Sequence, residues 1–201
     1  MIRYGTINDD VIYGGPHRDY LLSSPGNDQL YGRHGDDTVL DNEGWNFLSG
    51  GYGNDYVQGT GTLVGNRGDD YVVVEAGSGF GGPGNDHLIA NSQIKYDGTS
   101  TTHDAVLQGG AGIDQFFAYT YGTDANPSRV DILDFKQGED QVTVFSSETG
   151  TPFSHDAKSD LDLNHDHHLN ATDGLLVDQD GLHLRLGNDE VVLHGSADFM
   201  F

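Results

Sequence analysis

Aspartate recurs through the first half of the chain at one fixed place in a glycine-rich pattern. From Gly5 onward the sequence divides into nine-residue units. Positions one to six of each unit resemble a turn, the sixth is usually Asp, and the eighth is apolar. A carboxylate is a hard oxygen ligand of the kind that calcium prefers, and glycine permits the positive φ angles that turn carbonyl oxygens toward an ion. The pattern therefore indicates repeated binding of a hard divalent cation.

The apolar eighth residue predicts how these turns are held in place. The three residues around it form a very short strand whose middle side chain points inward. Two units make one coil of 18 residues, so that successive turns fall alternately on two edges. A single coil cannot bury its apolar residues alone, so the coils must stack. The expected inward series is Ile12, Leu21, Leu30, Val39, Leu48, Val57, Leu63, Val72, Leu88, Leu107 and Phe116.

The two edges differ in how well they keep the pattern. The "even edge" keeps an aspartate in every turn: Asp19, Asp37, Asp55, Asp70, Asp86 and Asp114. On the opposite "odd edge" only Asp10 and Asp28 stand at the proper position, Asn46 replaces the third, and Asp104 stands one place early. The even edge is therefore nearly intact, interrupted by an insertion between residues 86 and 114, whereas the odd edge has lost most of its aspartates.

The turns GGYGND (50–55), GGPGND (81–86) and GGAGID (109–114) resemble the RTX, or hemolysin-type, nonapeptide G-G-x-G-x-D-x-U-x. The same repeat occurs in the C-terminal β-roll of serralysin-like proteases and in alginate epimerase R-modules. The resemblance implies an all-β fold. Residues 5–117 would form a calcium-binding parallel β-roll, a right-handed β-helix of short strands, and 118–201 a C-terminal β cap.

The resemblance also implies where the ions lie. Each calcium ion would sit between consecutive turns of one edge, bound by backbone carbonyls and by both aspartate side chains. The even edge would then carry one nearly complete ligand ladder from Asp19 to Asp114, weakest across the 86–114 gap that the insertion spans. The odd edge would hold one site, between Asp10 and Asp28; the alternative is that this edge keeps calcium through water or backbone ligands alone. Besides the aspartates, the implied calcium ligands are the turn residues Gly32, His34, Gly50, Gly51, Tyr52, Gly53, Gly65, Arg67, Gly68, Gly81, Gly82, Pro83, Gly84, Gly109 and Ala111.

The segment after the repeats predicts a closing cap. Residues 130–144, VDILDFKQGEDQVTV, resemble the stretch that closes the roll in RTX proteins, with Ile132, Phe135 and Val142 as expected contacts. Farther on, HLRLGNDEVVLHG (183–195) alternates apolar and polar residues around a Gly-Asn pair, which predicts a β-hairpin.

A second kind of calcium site is predicted at 162–173, DLNHDHHLNATD, which resembles the dockerin form of an EF-hand-like loop. The residues at ligand positions 1, 3, 5, 7, 9 and 12 are Asp162, Asn164, Asp166, His168 (through its carbonyl), Asn170 and Asp173. His167 stands where glycine normally makes the sharp turn, so an acidic surface loop is the alternative. The neighbouring histidines are interpreted as solvated loop residues and not as a zinc or nickel site.

Composition excludes several classes of function. The formal charge of −23 disfavours nucleic acid and anionic membranes as partners. The sequence has no cysteine, and no apolar run approaches the ~18 residues of a membrane span. Motifs of zinc proteases, serine hydrolases and P-loop enzymes do not occur in it, so we expect no catalysis.

The end of the sequence predicts the route of export. Asp198, Phe199, Met200 and Phe201 resemble the uncleaved type I secretion signal of serralysin-like proteases, while MIRYGTINDD lacks the features of an ordinary signal peptide. We therefore expect a secreted, extracellular protein whose partners are calcium and a type I secretion exporter. The leading hypothesis is a non-catalytic protein that folds on binding external calcium. The alternatives are the C-terminal module of a larger exported enzyme (protease, lipase or epimerase), or an adhesive roll for a cell-surface or carbohydrate ligand.

Overall fold

The fold consists of strands and turns, with no helix among the residues described. The structure, a computed structural model, describes residues 1–91, 104–120, 127–146, 168–170, 176–186, 189–196 and 198–200. Its strands are β1 (Ile2–Tyr4), β2 (Val11–Tyr13), β3 (Tyr20–Leu22), β4 (Gln29–His34), β5 (Thr38–Tyr52), β6 (Tyr56–Arg67), β7 (Tyr71–Pro83), β8 (His87–Asn91), β9 (Ala105–Ala111), β10 (Gln115–Thr120), β11 (Arg129–Ile132), β12 (Gln141–Ser146), β13 (His168–Asn170), β14 (Leu176–Val177), β15 (Gly181–Leu186), β16 (Asp189–His194) and β17 (Asp198–Met200).

Parallel pairing between coils builds the two faces of a flattened roll. On one face Tyr20 pairs with Ile2 below it and Thr38 above it, which is the 18-residue coil that the repeat predicts. The later coils are shorter, since Tyr56 pairs with Tyr71 and Tyr71 pairs with His87. Strands β5, β6 and β7 bend round the odd edge, so both faces belong to one 15-stranded sheet. The all-β parallel β-roll is confirmed.

The core is a double column of inward side chains, one from each face. Every member of the expected apolar series is buried. The second face has a gap in its column at Gly79, which pairs with Leu63 and Leu107 in the neighbouring coils. Val74, fully buried on the strand that enters the same coil, fills the space. A methyl group on Gly79 would lie 2.6 Å from Cγ2 of Val74.

Parallel pairing continues beyond residue 117. Strand β12 adds to β10 in register, with Val142 beside Phe116, and β11 and β16 extend the other face. The three expected cap contacts, Ile132, Phe135 and Val142, are buried. The expected hairpin is present as the antiparallel pair β15 and β16. These additions cover the last coils of the roll.

Two predicted features fall largely outside the described residues. Of the EF-hand-like loop at 162–173, only 168–170 is described, as strand β13, which pairs antiparallel with β17. That pairing also includes three of the four residues of the predicted secretion signal, since β17 is Asp198–Met200. Both remain predictions.

The contact between Val74 and Gly79 predicts non-additive mutations. Val74→Ala should lower the free energy of unfolding of the calcium-saturated roll because it opens a cavity, and Gly79→Ala because it overpacks the core, each by about 1–3 kcal/mol. The double variant should lose clearly less than the sum, since the new methyl group then occupies the space that the valine left. Denaturant unfolding of the four proteins measures the coupling, and strictly additive losses would contradict the packing described.

Candidate calcium-binding edges

The even edge carries a continuous ladder of aspartates. From Asp19 to Asp114, the backbone N–H of each ladder aspartate donates to Oδ1 of the aspartate one coil further on, at 2.7–3.0 Å. The ladder runs through Asp19, Asp37, Asp55, Asp70, Asp86, Asp114 and Asp140, and all but the last are at most 2% exposed. From Asp37 onward, one carboxylate oxygen of each residue is thus used to hold neighbouring coils in register.

The second carboxylate oxygen has no such role in the middle of the ladder. Oδ2 of Asp37, Asp55, Asp70 and Asp86 is buried and has no hydrogen-bond partner. Burial, reinforced by neighbouring aspartates, raises the pKa of Asp37 and Asp70 to about 6 and that of Asp55 and Asp86 to about 7. Buried polar atoms are ordinarily paired. A row of unpartnered anionic oxygens therefore indicates that a cation belongs beside them.

Glycine at the first position of each even turn makes room for these oxygens. A methyl group on Gly50, Gly65, Gly81 or Gly109 would collide with Oδ2 of the aspartate that closes the same turn. At positions two and four the backbone has positive φ, for example 125° at both Gly51 and Gly53. A methyl group on Gly51 would collide with the carbonyl oxygen of Arg33 in the preceding coil. Carbonyls at these positions therefore point along the stack of turns.

Several carbonyls at the third position of these turns already accept one backbone hydrogen bond. Those of Tyr52, Arg67, Pro83 and Ala111 accept the N–H of the fourth residue in the preceding turn, at 2.8–3.2 Å. A carbonyl oxygen has two lone pairs, so one remains for an ion. Nowhere among the described residues do three or more His, Asp or Glu side chains converge on a metal position. A cation at this edge would therefore be bound by carboxylates together with turn carbonyls, an all-oxygen set that fits calcium.

The odd edge has the same hydrogen bond between aspartates of neighbouring coils, but the second carboxylate oxygen of its position-six aspartates has a donor. The N–H of Asp10 donates to Oδ1 of Asp28 at 2.7 Å, as expected for a paired site. Here, however, the other oxygens have donors: Thr6 donates to Oδ2 of Asp10, and the hydroxyl of Ser23 donates to Oδ2 of Asp28. The third turn has Asn46, whose Oδ1 accepts the N–H of Asp28.

The even ladder is longer than the sequence predicted. The 86–114 link, expected to be the weakest, has the same N–H to Oδ1 hydrogen bond as the others, at 2.9 Å. Asp140 then adds a further step, because it accepts the N–H of Asp114 at 3.0 Å and, through Oδ2, the N–H of Lys136. Its unit, FKQGEDQVT (135–143), keeps Gly at position four, Asp at six and Val at eight. That partial match is the signal that could have found it.

A second ladder lies at position five, which the repeat pattern treats as variable. Here the N–H of each residue donates to the side-chain oxygen of the residue one coil earlier, the opposite direction to the aspartate ladder. Its even-edge members are Asp36, Asn54, Asp69, Asn85 and, as the final donor, Ile113. Unlike the ladder aspartates they are exposed. The recurrent Asn-Asp and Asp-Asp pairs are the sequence signal for this ladder.

Stacked turns with a buried aspartate in each coil define a β-roll with candidate cation-binding edges, and comparison with a family model agrees. The family model described as peptidase M10 serralysin C terminal matches residues 8–186. The chain belongs to that family.

No curated protein sequence matches the chain. Among solved structures, the extracellular lipase LipA from Serratia marcescens aligns with 17% identity and a TM-score of 0.31. The alignment covers 97% of this chain and 38% of the lipase, so the chain spans well under half the length of that protein. The described residues contain no helix long and apolar enough to cross a bilayer.

Adjacent aspartates offer a matched test of the even edge. Asp70→Asn keeps an oxygen for the ladder but puts an amide nitrogen where a ligand oxygen is needed. We expect it to reduce the number of bound calcium ions and to raise the calcium concentration needed for folding. Asp69→Asn removes the same charge from the exposed position-five ladder and should change both little. Isothermal calorimetry and circular dichroism measure the two quantities, and equal effects of the two variants would contradict the assignment.

The raised pKa values predict that acid favours the ion-free roll. In the unfolded chain an aspartate titrates near pH 3.9, whereas Asp55 and Asp86 in the ion-free fold titrate at about 7. Between these values the folded state binds more protons than the unfolded state, so its stability must fall as the pH rises. Calcium-depleted protein should therefore show more β structure by circular dichroism near pH 5 than near pH 8. A β signal that grows with pH would refute this, and calcium-saturated protein near pH 8 is the folded reference.

Proposed function

We propose that the chain is a calcium-dependent folding module of an exported protein, with no catalytic step of its own. The observation that carries this proposal is the row of buried Oδ2 atoms on Asp37, Asp55, Asp70 and Asp86 without hydrogen-bond partners. Membership of the serralysin C-terminal family supports it. The ligands would be the ladder carboxylates together with carbonyls of the glycine-rich turns.

Electrostatics explain why folding would depend on the ion. A close pair of like charges costs about 1–4 kcal/mol at dielectric constants between those of water and of a protein surface. Removing each unpaired carboxylate from water costs several kcal/mol more. The core, one inward residue per strand of each coil, offers limited apolar burial to offset these terms. Calcium supplies the positive charge that neighbouring carboxylates lack, and binding to the folded state alone stabilises it by mass action.

The same dependence would suit export. Extracellular calcium modules bind with dissociation constants on the order of 10⁻⁴–10⁻³ M, far above cytosolic calcium concentrations. Before export the carboxylates would remain hydrated and the chain unfolded, in a form that a type I secretion exporter could thread. Outside the cell the ladder would fill and the coils would stack. We therefore propose an extracellular site of action.

A second candidate is that the roll serves a larger exported enzyme. The family description itself names the C-terminal part of a peptidase, which favours a module attached to a catalytic domain. In that case the ladder would fold the C-terminal part of the enzyme after export. An antibody raised against residues 1–91 would test this in the source organism, since a secreted band far above 21.7 kDa would support the larger protein and a band at that mass the separate one.

A calcium titration tests the proposal directly. In excess chelator at neutral pH the chain should give a disordered circular dichroism spectrum, and millimolar calcium should produce a β spectrum in one cooperative transition. Magnesium at equal concentration should fail, because it requires a small, nearly ideal octahedral site and gives up its water reluctantly.

Two controls sharpen the result. Sodium chloride at matched ionic strength separates specific binding from screening of the net charge. A variant with Asp37, Asp55, Asp70 and Asp86 all changed to Asn should no longer need calcium to relieve repulsion, and should lose its calcium response. A native β spectrum of the unaltered chain in chelator near pH 8 would overturn the proposal.

A further inference from the structure

The odd edge contains a buried carboxylate that the repeat pattern does not explain. Asp41 occupies the first position of the turn 41–46, where the even turns have glycine. Asp41 is the last residue of the segment of β5 that begins at Thr38 and pairs in register with β6. It is 3% exposed. Its Oδ1 accepts the N–H of Glu43 at 3.1 Å, whereas its Oδ2 is buried and has no hydrogen-bond donor. Among the described odd-edge residues, this oxygen matches the unpartnered oxygens of the even ladder.

Asn46, in the same turn as Asp41, lacks the second carboxylate oxygen that an aspartate would have at position six. At the ladder position of the same turn, its Oδ1 accepts the N–H of Asp28 at 2.8 Å. Its Nδ2 donates to the carbonyls of Asp41 and Glu43 at 3.3 and 3.2 Å. The asparagine thus keeps the coil-to-coil hydrogen bond but places an amide group where an aspartate would offer its second oxygen. The turn therefore has no carboxylate at position six, where Asn46 lies, but has one at position one, in Asp41.

The carboxyl of Asp41 faces that of Asp28. The two carboxyls are near enough to interact electrostatically, and Asp28 is 1% exposed. Two buried carboxylates this close together require a positive charge or a proton between them. The backbone here also resembles the even edge: Gly26 and Gly44, at position four of successive turns, have φ of 152° and 92°. A methyl group on Gly44 would collide with the carbonyl oxygen of Gly26.

We propose that Asp28 and Asp41 hold an additional calcium ion on the odd edge, between the turns 23–28 and 41–46. The site uses an aspartate from position one of the repeat in place of the one missing at position six. It is separate from the pairing of Asp10 with Asp28 in the preceding coil. The inference rests on the proposed function, because it assumes that the edges of this roll bind calcium.

A matched pair of variants tests the site. Asp41→Asn removes the unpartnered carboxylate, and Glu43→Gln removes an exposed charge of the same sign from the same turn. We expect Asp41→Asn to bind one calcium ion fewer per folded chain than the unaltered protein and Glu43→Gln to bind the same number. Equilibrium dialysis with elemental analysis gives the count, and circular dichroism in saturating calcium verifies that each variant is folded.

The single tryptophan gives a local readout. Trp45 lies in this turn, next to Asn46, and is the only tryptophan of the chain. Terbium, a luminescent substitute for calcium, should show emission sensitised by Trp45 when excited at the long-wavelength edge, where tyrosine does not absorb. Asp41→Asn should lose most of that emission, and Glu43→Gln should keep it.

A rescue variant covers the case in which Asp41→Asn does not fold. Asp41→Gly combined with Asn46→Asp restores the residues of the even turns at both positions, and it should regain the ion and the emission that Asp41→Gly alone lacks. Equal ion counts in the folded unaltered protein and folded Asp41→Asn, or equal emission in Asp41→Gly with and without Asn46→Asp, would overturn the proposal and leave a carboxyl pair that shares a proton. Failure of the proposed function looks different, because the unaltered chain would then bind no calcium.

Discussion

The aspartates in the middle of the even ladder have two oxygens with different tasks, and most of the molecule follows from that division. Oδ1 accepts the N–H of the aspartate one coil earlier, which fixes the register of the stack. Oδ2 of Asp37, Asp55, Asp70 and Asp86 remains buried without a donor. The interaction that aligns the coils therefore also brings negative charges together away from water. Buried like charges of this kind favour a cation or a proton beside them.

Glycine at the first position of the turn makes room for the second carboxylate oxygen. Where an aspartate directs Oδ2 back toward the start of its own turn, only glycine leaves enough room, as at Gly50 and Gly65. Where the first residue has a side chain, that side chain becomes part of the aspartate's surroundings. Ser23 donates a hydrogen bond to Asp28, and Asp41 brings a second carboxylate beside it. The two edges share one backbone register but differ in the partners of their carboxylates.

The core allows the edges to vary because each coil needs only two inward side chains and contacts only its neighbours. Loss of three residues from one coil is accommodated by bending β6 round the odd edge. Loss of a side chain at Gly79 is compensated by Val74 from the same coil. Insertion between β8 and β9 leaves the Asp86 to Asp114 hydrogen bond intact. Local changes are absorbed within one coil, while the aspartate ladder continues.

The sequence by itself determined the roll and its stronger edge, because a nine-residue period of Gly, Asp and an apolar residue can satisfy turns and core only by stacking. It also identified Asp19 through Asp114 as candidate ligands and the hairpin near the C-terminus. The tertiary structure decided the continuation to Asp140, the position-five ladder and the burial of Asp41. The sequence has partial signals for the first two, in the unit 135–143 and in the Asn-Asp and Asp-Asp pairs, but only the stack shows which residues of different coils lie next to each other. Asp41 looks like a missing glycine in the sequence, and it becomes a candidate ligand only when the stack places Asp28 against it.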